Sequence, residues 1–106
     1  MKYYALGQID VTDPAWIREY VTQVTAIVQR RGGRYLARTQ RTEMLEGERE
    51  APGTLVLIAW PTREAALAFY DSDEYRPYRE DRRRGARNEF MLIAGEDVTG
   101  VARIEA

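Results

Sequence analysis

Apolar and polar positions follow two rhythms along this chain, and the switches between them mark its elements. Residues 3–9, Tyr-Tyr-Ala-Leu-Gly-Gln-Ile, are aromatic and β-branched enough for a strand, which the polar cluster at 10–14 ends. That cluster also opens a helix, with Asp13 as N-cap and Pro14 at the first helical position, where its missing N–H costs nothing. Trp16, Ile17, Tyr20, Val21, Val24, Ile27 and Val28 recur at steps of three and one, the spacing of one buried helical stripe. Arg30 and Arg31 suit the negative end of the helix dipole, and Gly32-Gly33 ends the helix.

Residues 34–40 read as a second strand with mixed faces, continuing or kinking through 42–45 before Glu46-Gly47 turns it. After the polar loop 46–53, residues 54–60 (Thr-Leu-Val-Leu-Ile-Ala-Trp) are almost continuously apolar, the pattern of a central strand covered on both faces. Thr62 is the expected cap of a second helix whose stripe is Ala65, Ala66, Phe69 and Tyr70. Asp71-Ser72-Asp73 breaks it, and a further helical piece carries Tyr75 to Arg84, ending near Gly85. Residues 90–94 form the fourth strand. In the last stretch Val98, Val101 and Ile104 lie among polar residues, as a short extra strand or an arm on a partner.

The order β-α-β-β-α-β predicts an α+β, ferredoxin-like domain over residues 1–95 with a C-terminal arm at 96–106. Two helices cover one face of an antiparallel sheet. The third strand is apolar on both faces, with Val56, Ile58 and Trp60 on one and Leu55, Leu57 and Ala59 on the other, so the second face calls for a second copy of the chain.

Composition narrows the chemistry. The chain of 106 residues has no histidine and no cysteine. That removes disulfides, the Ser-His and Cys-His dyads and the usual soft metal ligands, and no metal or cofactor is expected. Sixteen Lys+Arg against 17 Asp+Glu leave a net charge of −1, which offers no overall attraction to nucleic acid or to an anionic membrane. The run Arg76, Arg79, Arg82, Arg83, Arg84 and Arg87 is interleaved with Glu80 and Asp81, the pattern of a solvated helix with internal ion pairs. The N-terminus lacks a signal-peptide core and no apolar run approaches a membrane span, so a cytoplasmic protein is expected.

Four segments, Val11-Thr12-Asp13-Pro14, Gly32-Gly33-Arg34-Tyr35-Leu36-Ala37-Arg38, Leu45-Glu46-Gly47 and Phe69-Tyr70-Asp71-Ser72-Asp73-Glu74-Tyr75, resemble in order and spacing the bacterial family known as domain of unknown function 1330. Arg82 and the strand ending Ile93-Ala94-Gly95 complete the resemblance. It implies a dimeric α+β barrel of ferredoxin-like subunits. The wider superfamily holds small cofactor-free monooxygenases, muconolactone-isomerase-like enzymes and ligand-sensing domains. The polar residues that match by position are Arg34, Arg38, Glu46, Tyr70, Ser72, Tyr75 and Arg82. Two departures stand out: many relatives place a histidine where this chain has Arg31, and glycines where it has Thr39-Gln40.

Each of these residues has two readings. On a regular strand Arg34 and Arg38 share a face about 13 Å apart, at roughly 3.3 Å per residue, and either grip a carboxylate or form ion pairs at a charged edge. Glu46 is a proton acceptor in a cleft or a solvated turn residue. Ser72 caps the helix of Tyr75 or touches a ligand, Tyr70 belongs to the core or to a pocket, and Arg82 reaches Glu46 or a bound anion. The expected function is a homodimeric barrel protein that binds a small anionic or aromatic metabolite between sheet and helices. The alternatives are a cofactor-free enzyme acting on such a compound and a purely structural dimer.

Overall fold

The computed structural model describes residues 1–105; Ala106, the last residue of the expected arm, lies outside them. Four strands, β1 (Tyr3–Val11), β2 (Arg34–Thr39), β3 (Thr54–Trp60) and β4 (Ala86–Ala94), form one sheet in the order β2-β3-β1-β4, with every neighbouring pair antiparallel. Helices α1 (Ile17–Arg30), α2 (Arg63–Tyr70) and α3 (Arg76–Gly85) complete an α+β, ferredoxin-like fold. β3 is internal, as its apolar sequence requires.

Local chemistry sets the boundaries. Asp13 accepts from the Ala15 N–H at 3.0 Å, and Pro14–Trp16 form a 3₁₀ turn before α1, a tightened first turn where an unbroken helix is expected. α1 ends as the double glycine predicts. The Gly32 N–H bonds to the Gln29 carbonyl and the Gly33 N–H to that of Val28, with Gly32 at φ 95°. Thr62 caps α2 through the Ala65 N–H at 3.0 Å. β2 stops at Thr39, short of the expected continuation, because its partner β3 begins at Thr54 and the Thr39 hydroxyl turns the chain by accepting the Arg41 N–H. β4 begins four residues earlier than its apolar run, paired along the full length of β1.

The core lies between the sheet and the helices. Val24, Ile27 and Val28 of α1 pack with Ile9, Val56, Ile58 and Trp60 of the sheet and with Ala66 and Phe69 of α2. An aromatic column runs through it: Trp60 stacks on Phe69 with centroids 5.3 Å apart, and Phe69 on Tyr75 at 4.3 Å. The Gly85 carbonyl accepts from the Thr12 and Asp13 N–H groups and from the Trp16 indole, which ties the end of α3 to the start of α1.

The other sheet face carries no helix. Register places Tyr4 between Ala59 and Ile93, and Leu6 between Leu57 and Met91, on that face. Met91 and Ile93 are exposed. Residues 96–105 form no strand; Asp97 closes a turn by accepting from Thr99 and Ala102, and Val98 and Val101 are fully presented to solvent.

Gly33 sits where a Cβ would lie 2.6 Å from Val28 and 2.9 Å from the Trp60 ring, both fully buried. Gly33→Ala is therefore expected to destabilise the fold by about 1–3 kcal/mol through overpacking. A urea-unfolding midpoint unchanged from the parent would refute this account of the α1–β2 junction.

Candidate functional site

A cavity of about 820 Å³ opens between sheet and helices. Ile17, Val21 and Val24 of α1 and Val56, Ile58 and Leu92 of the sheet supply aliphatic walls, and Trp16, Trp60, Phe69 and Phe90 aromatic ones. Of the lining residues Val11, Val21, Arg38, Gln40, Arg41 and Met91 are exposed, and Val21, Arg38, Gln40 and Arg41 mark an opening between α1 and the end of β2. No aspartate, glutamate or lysine lines this cavity; its only charged lining residues are Arg38 and Arg41. Among the described residues no three carboxylates gather as metal ligands.

The polar end is built by three residues from three segments. The Tyr20 hydroxyl on α1 lies 2.7 Å from the Tyr75 hydroxyl, just before α3. Arg82 on α3 donates from Nε to Tyr20 at 3.2 Å and from Nη2 to Tyr75 at 3.3 Å. Arg82 is 1% exposed and pairs with no carboxylate among the described residues. Its guanidinium also lies 4.2 Å from the centre of the Phe90 ring and 5.9 Å from that of Tyr20, where the ring faces attract a cation.

Counting protons gives this cluster a direction. Each phenol oxygen accepts from Arg82, and one phenol donates to the other. The second phenol's proton meets no acceptor among the described residues. Both tyrosines line the cavity and Arg82 does not, so Arg82 stands behind the pair as a positioning residue and one O–H is left without an acceptor among the described residues. Burial pushes the Tyr20 phenol well above its ordinary value, with Tyr75 adding to the effect, so at neutral pH Tyr20 keeps its proton. Burial works against the charge on Arg82, but the two tyrosine oxygens outweigh it and hold the guanidinium charged.

The residues singled out in the sequence divide. Arg38, Tyr70 and Tyr75 line the cavity, and Arg82 supports it from behind. Arg34 does not line it. A bulge at Leu36 breaks the alternation expected of a regular strand: Arg34 pairs with Ala59 and Arg38 with Val56, which belong to opposite faces. The two arginines are thus not a common anion clamp, and Arg38 instead sits over the Tyr35 ring at 4.4 Å and donates to Thr25 at 2.9 Å. Glu46 stands on the exposed β2–β3 loop, away from the cavity and from Arg82, whose partners are the two phenols. Ser72 is a cap: its hydroxyl donates to the Phe69 carbonyl at 2.7 Å and accepts the Tyr75 N–H at 3.2 Å. It positions Tyr75 without lining the cavity. Arg31, at the point of departure from the relatives, faces outward and donates to Glu74 at 2.6 Å.

Tyr20 was hidden in the helical stripe among aliphatic neighbours, where it reads as core. The signal that could have marked it is its hydroxyl, which a buried phenol must satisfy.

The family model described as Domain of unknown function (DUF1330) matches residues 2–96. The chain belongs to this family. DUF1330 names no activity, and no curated protein matches the chain. Among solved structures, a protein of unknown function from Rhodopseudomonas palustris, RPA0582, superposes with a TM-score of 0.71 at 15% identity, covering 87% of this chain and 80% of its own. SnoaB, a cofactor-independent oxygenase from Streptomyces nogalater, gives 0.62 at 17% identity over 92% of this chain and 95% of that one. Rv0793 from Mycobacterium tuberculosis gives 0.59 at 16% over 92% and 97%. At such identities the likeness to this DUF1330 chain is one of fold.

Tyr20 and Tyr35 are both raised, first by burial, above the ordinary phenol value of 10.0. Folded protein therefore holds these protons more tightly than unfolded chain. The stability tied to them is whole below pH 10.0 and falls as pH climbs from there towards the raised values. Urea midpoints followed up the alkaline range should decline, less steeply in Tyr20→Phe; equal slopes would contradict the assignment.

Proposed function

We propose that this chain binds a small, largely apolar or aromatic anion in the cavity between sheet and helices. The observation that carries the reading is the charge pattern of the lining. Arg38 and Arg41 stand in a cavity without a single carboxylate, and an unspent phenol O–H waits at its buried end. Neither arginine forms an ion pair with a described residue, a state they share with exposed arginines outside the cavity such as Arg18, Arg34 and Arg87. An anionic ligand supplies the missing partner, and the aromatic walls supply its apolar contact.

The second reading is a cofactor-free enzyme on the same kind of compound, favoured by the shared fold with SnoaB, described as a cofactor-independent oxygenase. The lining contains no carboxylate and no histidine to take a proton, so a reacting compound would have to be acidic in itself. Oxygen uptake with acidic aromatic compounds separates catalyst from binder.

The functional unit we propose is a homodimer, because the helix-free sheet face presents Leu6, Leu57, Met91 and Ile93 together. Light scattering should give twice the 12.3 kDa chain mass, and Leu57→Arg should reduce it to one. A parent protein that scatters as a monomer refutes the dimer. For the ligand, a panel of aromatic and aliphatic carboxylates should raise the melting temperature, and a panel that moves it nowhere overturns the binding reading. Arg34→Met, on the other sheet face, should leave any such shift intact.

A further inference from the structure

The two ends of the cavity differ in the hydrogen bonds they have left to make, and this difference specifies a ligand more closely than charge alone. At the buried end the guanidinium of Arg82 has spent Nε and Nη2 on the two phenols and does not line the cavity, so no arginine fork faces a ligand there. What does face it is one phenol O–H, which suits a single acceptor oxygen and cannot grip a carboxylate with two parallel bonds. At the open end Arg38 is held by its stacking on Tyr35 and by one bond from Nη1 to Thr25, with Nε and Nη2 unspent. That is a held guanidinium with donors to spare, sharing the cavity lining with Arg41 and close to solvent, where an ionised group keeps part of its hydration. Between the ends the walls are Trp60, Phe69 and aliphatic side chains.

We infer that the ligand is a monocarboxylate with an aromatic body and one oxygen at its far end, keto or phenolic. The carboxylate lies on Arg38 at the mouth, and the far oxygen accepts from the Tyr20–Tyr75 pair. This inference rests on the binding reading above, and it adds polarity: the charged end outward, the single oxygen inward.

The probe series is 6-hydroxy-2-naphthoate, 2-naphthoate, the methyl ester of the first, and naphthalene, titrated calorimetrically into the parent protein, Arg38→Met, Tyr75→Phe and the double variant with Tyr20→Phe and Tyr75→Phe. The hydroxy acid should bind about ten-fold more tightly than its ester, as a charge-assisted pair warrants, and Arg38→Met should erase that margin. Either phenol alone keeps one spare O–H, so loss of the ring hydroxyl should weaken binding several-fold in the parent and in Tyr75→Phe but not when Tyr20→Phe is added to Tyr75→Phe, with melting curves confirming that the variants fold. Equal affinity for acid and ester, or a carboxylate margin that survives Arg38→Met, overturns the inference and leaves the cavity reading intact. Failure of all four compounds to bind overturns both.

Discussion

A buried guanidinium that answers to no carboxylate organises this molecule. Removing Arg82 from water costs several kcal/mol, and two phenol oxygens and the face of Phe90 are what offset it. Those partners come from α1, from the segment before α3 and from β4, so satisfying one side chain fixes the mutual placement of three elements. The aromatic column adds to the constraint, because Tyr75 stacks on Phe69 and Tyr20 meets Tyr75 and Trp16 edge-on. With both phenol oxygens held as acceptors, Arg82 fixes where the two hydroxyls stand. This is preorganisation by a residue that touches the cavity only through others.

The fold was legible because it rests on periodicity. The stripe from Trp16 to Val28, the double glycine and the continuous apolar run at 54–60 each have one economical structural meaning, and each is found where that meaning puts it. The site was only half legible, for reasons that can be named. Arg38, Tyr70, Tyr75 and Arg82 were marked by position, but a single extra residue at Leu36 turned Arg34 to the opposite face, and strand alternation carries no warning of a bulge. Glu46 looked like a proton acceptor because no histidine competes with it. The loop that bears it leaves it in solvent. Tyr20 went unmarked because an amphipathic stripe describes where a side chain points and says nothing about what its tip must bond.

The sheet separates two kinds of surface. Its helix-covered face gives the cavity, and its bare face gives an apolar patch whose rows, Ala59-Tyr4-Ile93 and Leu57-Leu6-Met91, run across β3, β1 and β4. Both arise from β3, in which alternate residues serve opposite faces: Val56, Ile58 and Trp60 are among the buried core, while Leu55 and Leu57 stay partly open. A strand that is apolar on both faces leaves this signature in a single chain.

The net charge of −1 conceals a surface on which six arginines are paired with carboxylates. Glu74 takes Arg30 and Arg31 together, and the hydrogen bond from Arg31 first of all holds its carboxyl below the ordinary carboxylate value. Asp73, Asp81 and Glu80 take Arg76, Arg84 and Arg83 along α3. These pairs are solvent-exposed and contribute little to stability. They compensate only part of the outer positive charge: Arg18, Arg34, Arg63 and Arg87 are exposed and, like Arg38 and Arg41 at the cavity, form no ion pair with a described residue. The departure at position 31 belongs to this outer layer, since Arg31 reaches Glu74 and not the cavity. The ionised groups that line the cavity are thus guanidinium groups, which donate hydrogen bonds and accept no proton.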